Sequence, residues 1–126
     1  NRDPIYPTER GLRPGAGYLV AAIEATTGVV PVSIGKPGPR LLQIAAAAVG
    51  RDVREAVMIG DGILTDLAAA NALGMRCVFM LTGVSTREQL RALAPGDQPT
   101  AVASNAGELA AALAALAASG PVAAPA

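Results

Sequence analysis

The stretch Val57-Met58-Ile59-Gly60-Asp61-Gly62-Ile63-Leu64-Thr65-Asp66 decides how this chain is read. An apolar run, a glycine-flanked carboxylate and a second carboxylate entering an alanine-rich segment spell strand, tight turn and helix start. A continuous rather than alternating apolar run suits a parallel strand covered on both faces. Gly60 and Gly62 permit backbone angles closed to other residues, which lets Asp61 stand at the strand's carboxyl end. In an open α/β sheet that end is where ligands bind. Two acidic groups in one crevice repel unless a cation or proton lies between them, and oxygen ligands that leave room for water suit Mg²⁺. The stretch therefore points to a magnesium and phosphate site. A plainer reading stands beside it: Asp61 caps a turn, and Asp66 complements the positive end of a helix.

The 126 residues suffice for one domain with a core. Ten basic and ten acidic residues cancel to a formal charge of zero, so nothing argues for nucleic acid or an anionic membrane as partner. Hydrophobic residues make up 52% of the chain and aromatic ones 2%, so the core is built from small and aliphatic side chains. No apolar run reaches the roughly 20 residues of a spanning helix, and no basic and apolar leader opens the chain; a soluble cytoplasmic protein is expected. Cys77 sits alone in an apolar run, as a buried structural thiol does. With no histidine present, histidine metal sites and Ser-His or Cys-His catalysis are excluded within these residues. A chain opening on Asn1 rather than methionine suggests a processed or truncated product.

Outward from the central stretch, residues 1 to 17 are dense in proline and glycine and read as loop. Residues 18 to 27 place Leu19, Ala22, Ile23 and Thr26 on one helical face, stopped by Gly28. Residues 29 to 34 are β-branched but broken by Pro31, which allows at most a short strand. Residues 40 to 49 form a helix presenting Leu41, Ile44, Ala45 and Ala48 to the sheet. After Asp61 a helix over 65 to 73 starts at Thr65 as N-cap, faces the sheet with Leu67 and Ala70, and stops at Gly74. Residues 76 to 81 are a second parallel strand, which brings Thr82-Gly83 beside the site. Ser85 to Glu88 is a capping box opening a helix that closes at Pro95-Gly96. A third short strand spans 100 to 103. Asn105 with Glu108 caps a last helix whose Leu109, Leu113 and Leu116 stripe packs on the core. Residues 122 to 126 have no packing partner in the pattern and are expected to be disordered. Alternating strands and helices imply right-handed crossovers and a parallel sheet.

Lys36, between Gly35 and Pro37, is the single lysine among ten basic residues. A compact ammonium on a flexible stem suits a phosphoryl group or carboxylate at close quarters, where a planar guanidinium does not fit. An ordinary solvated loop lysine is the competing reading.

Gly35-Lys36-Pro37, then Ile59-Gly60-Asp61-Gly62-Ile63-Leu64-Thr65-Asp66, then Leu81-Thr82-Gly83-Val84 resemble, in this order, the haloacid dehalogenase-like hydrolases. The likeness is to their para-nitrophenyl phosphatase and phosphoglycolate phosphatase branch, and it runs to about Leu116. It implies an α/β fold: the carboxyl-terminal half of a doubly wound, Rossmann-like parallel-sheet core over residues 35 to 118, preceded by the closing part of an inserted cap over 1 to 34 and followed by a tail over 119 to 126. It implies a Mg²⁺-dependent phosphatase acting on a small phosphorylated metabolite through a phospho-aspartyl intermediate, with room for a homo-oligomer. Lys36 would steady the nucleophile and the phosphoryl oxygens. Asp61 would be a magnesium ligand, and Asp66 would be the second acidic residue supporting the metal or its waters. Asn1 and Asp3 would approach substrate from the cap side. The family's nucleophile is the first aspartate of an Asp-x-Asp after an earlier strand, and no stretch here supplies it: Asp3 precedes Pro4, and Asp52 and Asp97 sit in turns. A catalytically silent binding or assembly module is the alternative. The phosphorylation domain of a cation-pumping ATPase is a narrower rival that shares the Gly-Asp-Gly turn.

Overall fold

The computed structural model describes residues 2 to 120. Its centre is a three-stranded parallel sheet, in the order β3 (Val57–Gly60), β4 (Arg76–Met80), β5 (Ala101–Ala103). Met58 pairs with Cys77, Ile59 with Val78 and Gly60 with Phe79, while Phe79 also pairs with Val102. All three strands therefore present their carboxyl ends on one side, and the loops after β3 and β4 leave together.

Burial follows from this register. Met58, Cys77 and Phe79 take alternate positions and so share one face, where they pack with Leu67, Ala70, Met75 and Leu90. Leu67 and Ala70 belong to the segment after β3, which runs through a wide π-type turn (Ile63–Leu67) into α3 (Ala68–Leu73). The opposite face carries Val78, fully buried, and Ile59, which is 46% exposed. The helix α5 (Ala106–Ala118) packs over β5 and β4, with Leu109, Leu113 and Leu116 half-buried. Arg76 ties its end down by donating to the Leu116 and Gly120 carbonyls at 2.7 and 2.8 Å. The free edge of β3 faces no strand among the described residues. No helix among them is long and apolar enough to cross a membrane.

Several sequence expectations need correction. The first 17 residues are not all loop: β1 (Ile5–Thr8) and β2 (Gly11–Pro14) form an antiparallel hairpin. Pro7 and Pro14 are compatible with strands here because a two-stranded ribbon consists of edges. Residues 29 to 34 form no strand. The helix α1 (Ala16–Thr27) stops at Gly28 as expected, but its predicted apolar face is open, with Leu19 72% exposed. The helix α2 (Arg40–Ala48) buries Ala46 and half-buries Leu42, leaving Leu41 and Ile44 exposed. Apolar residues surround α2 on most sides, so periodicity could not choose its inward face. The helix α4 (Arg87–Arg91) is capped one residue later than read: Thr86 and Gln89 form the reciprocal box, and the helix ends at Ala92. The last segment, 121 to 126, lies outside the described residues.

Candidate metal and phosphate site

The turn after β3 folds back on itself. In the π-type turn, Asp66 N–H and Leu67 N–H both donate to the Gly62 carbonyl, at 2.9 and 3.1 Å. Such turns widen the helix locally and recur at functional sites. Here the widening aims the Asp66 carboxylate at the strand end, where its Oδ2 accepts the N–H groups of Asp61 and Gly62, each at 3.1 Å. Thr65 is therefore no N-cap; it lies inside the turn, and no side chain caps α3. Space, rather than unusual backbone angles, explains Gly60: its φ is not positive, but a Cβ there would overlap the Asp66 side chain.

Lys36 arrives from the loop before α2, and its ammonium pairs with Asp66 Oδ1. Both Asp66 oxygens are thus occupied, and the residue is buried. Burial pushes its pKa upward, but the hydrogen bonds from Lys36 and the Gly62 amide, the lysine charge and the Asp61 amide together outweigh that and hold the carboxyl below its ordinary value. Asp66 is an ionised anchor that fixes both the turn and the lysine.

Asp61 differs. Its Oδ2 accepts the Val84 N–H at 2.9 Å, and it pairs with no cationic side chain among the described residues. No cluster of three or more His, Cys, Asp or Glu among those residues could hold a metal. One open carboxylate with a second anion alongside does not make an all-protein cage, but it suits Mg²⁺, which keeps several waters and takes one or two carboxylates plus substrate oxygens.

Lys36, Asp61 and Asp66 therefore converge at the carboxyl end of β3. Asp3 lies before the β1–β2 hairpin, its carbonyl accepting the Gly17 N–H at 2.9 Å, and Asn1 falls outside the described residues. Asp52 pairs with Arg54 in the turn leading into β3, and Asp97 sits in the turn leading toward β5; both are at the amino ends of their strands, away from Asp61. The amide of Val84 and the hydroxyl of Ser85, which accepts the Ile63 N–H at 3.3 Å, are contacts that sequence reading missed. The one available signal was Thr82-Gly83 at the end of a parallel neighbour strand.

Comparison with known proteins follows the same lines. A family model for HAD-hydrolase-like proteins matches residues 33–109. The chain is 43% identical over 100 residues to a D-glycerol 3-phosphate phosphatase of Mycobacterium tuberculosis, covering 79% of this chain and 28% of that protein. It is 43% identical over 90 residues to the 5'-nucleotidase YutF of Bacillus subtilis, covering 71% and 35%. Among solved structures, a glycerol phosphate phosphatase from Mycobacterium tuberculosis in complex with magnesium superposes with a TM-score of 0.77 at 39% identity, covering 86% of this chain and 32% of that one. A p-nitrophenyl phosphatase from Archaeoglobus fulgidus gives 0.76 at 35% identity, covering 89% and 44%. The chain thus spans about a third of the length of the curated relatives it matches. With the parallel sheet, the glycine-flanked Asp61 and the Lys36–Asp66 pair at its carboxyl end, this chain belongs to the HAD-hydrolase-like family.

Proposed function

We propose that this chain carries the lysine and metal side of a Mg²⁺-dependent phosphatase for small phosphomonoesters, and that the nucleophilic aspartate comes from another segment. The observation that supports it most is the convergence of Lys36, Asp61 and Asp66 at one strand end. When bound, Mg²⁺ supplies charge neutralisation at the phosphoryl oxygens and orients the ester for in-line attack. Asp61 is the residue that would hold it. Asp66 holds Lys36 at the strand end, and Lys36 would in turn steady the phosphoryl oxygens and the attacking carboxylate. The attacking group would be an aspartate that forms a phospho-aspartyl intermediate, later hydrolysed. Residues 1 to 34 are assigned to the end of a cap and 35 to 118 to the core. The names of the relatives, which include acid sugar phosphatases of Staphylococcus aureus, favour a small phosphorylated metabolite as substrate.

A silent binding or assembly module is the second reading, favoured by the placement of Asp52 and Asp97 away from the site and by the open edge of β3. Phosphate release from an aryl phosphate by the full-length protein separates the two. We expect Mg²⁺-dependent turnover that Asp61→Asn abolishes; full activity in Asp61→Asn at ordinary magnesium would refute the metal assignment.

A further inference from the structure

Two hydrogen bonds tie the turn after β3 to the segment after β4. Val84 N–H donates to Asp61 Oδ2 at 2.9 Å, and Ile63 N–H donates to Ser85 Oγ at 3.3 Å. Just before these ties Gly83 lies so close to Asp61 that a Cβ built on it would overlap Oδ2, Cγ and Cβ of that aspartate. The φ of Gly83 is not positive, and Gly83 is exposed. Neither backbone strain nor core packing accounts for a glycine here; the room taken by the Asp61 side chain does. Register explains why the two segments meet, since Gly60 lies opposite Phe79 and the two strands end side by side.

We propose that Gly83, Val84 and Ser85 are positioning residues for Asp61: Gly83 leaves the space in which the carboxylate sits, Val84 holds Oδ2, and Ser85 holds the turn that carries it, so that Oδ1 is presented to the cation. This rests on reading Asp61 as the metal ligand. Groups that orient a ligating carboxylate influence metal affinity by about 10- to 100-fold. An alanine at 83 forces the carboxylate off its position or lifts the loop away, and either movement breaks the Val84 bond.

The test is a Mn²⁺ titration of the full-length protein, followed by electron paramagnetic resonance, on the unsubstituted protein, Gly83→Ala and Asp61→Asn, alongside metal-free thermal melting. We expect Gly83→Ala to bind Mn²⁺ at least about tenfold more weakly while still melting metal-free in one cooperative transition, as a folded protein does. Equal affinity in Gly83→Ala and the unsubstituted protein overturns the positioning role and leaves the metal assignment standing. Undiminished binding in Asp61→Asn, or none in the unsubstituted protein, overturns that assignment and this proposal with it. Should Gly83→Ala fail to fold, the Val84 amide resonance of the unsubstituted protein decides: it must move on adding Mg²⁺, and an unmoved resonance overturns the proposal.

Discussion

Lys36 and Asp66, 30 residues apart in the chain, form an ion pair in which the aspartate is buried and the lysine side chain is 38% exposed. The pair joins the loop before α2 to the turn after β3, and the Asp66 amide contacts lock that turn. A planar guanidinium does not match the single Asp66 Oδ1 as a point charge does, nor would it match the phosphoryl group of the proposed substrate. In the full-length phosphatase proposed above, Lys36→Arg should therefore lose kcat nearly as fully as Lys36→Ala, on the order of 10²-fold or more. Rescue by arginine would return Lys36 to an ordinary surface residue. Because the lysine is partly solvated, its loss should cost only about 1–2 kcal/mol of stability, measured by urea unfolding.

Gly60→Ala should act on the same turn through sterics. The added methyl meets the Asp66 side chain, which cannot yield without giving up Lys36 or the two amides. Overpacking of this kind costs about 1–3 kcal/mol. A urea midpoint equal to that of the unsubstituted protein would show that the turn relaxes freely.

The reciprocal box at α4 sets Thr86 apart from Ser85. Thr86 Oγ1 accepts the Gln89 N–H and Gln89 Oε1 accepts the Thr86 N–H. Thr86→Ala should lower stability by about 1 kcal/mol, whereas Ser85→Ala should leave the helix intact. Equal helix fraying in both variants, seen by amide exchange, would contradict this division.

Cys77, buried at the centre of the sheet, should be chemically silent. Burial first, and the Asp66 charge second, push its thiol pKa up to about 11 from an ordinary 9.0. Keeping it protonated contributes stability that is full below the ordinary value and is lost as pH rises toward about 11. A thiol reagent at pH 8 should label it only as fast as the protein unfolds; rapid labelling of the folded protein would contradict its burial.

What the sequence disclosed and what it withheld divide along physical lines. The strand β4 was legible because a buried parallel strand is a continuous apolar run, and Leu67 and Ala70 face the core as read; β3 carries the same kind of run but is not covered on both faces among the described residues, since Ile59 is exposed. Lys36, Asp61 and Asp66 were legible as residue types, but their division of labour was not. Nothing in spacing shows that both Asp66 oxygens are consumed by a lysine and two amides, or that Asp61 is steadied by a backbone N–H from the next loop. The inward face of α2 was misread because alanines and leucines surround most of that helix. The hairpin at Ile5–Pro14 was missed because its prolines, tolerated in a two-stranded ribbon, look like breakers.

The open edge of β3, together with the exposed Ile59 on that strand and the exposed Leu41 and Ile44 on α2, should make the 126-residue chain self-associate when isolated. A monodisperse, cooperatively melting monomer in ultracentrifugation and calorimetry would contradict this.

Phosphate release from an aryl phosphate with Mg²⁺, by the purified 126-residue chain alone and mixed with a separately expressed segment bearing an Asp-x-Asp strand, tests most directly whether this chain holds only the lysine and metal side of the site. We expect none from the chain alone and Mg²⁺-dependent turnover on mixing. Mg²⁺-dependent hydrolysis by the chain alone would contradict the absence of a nucleophile.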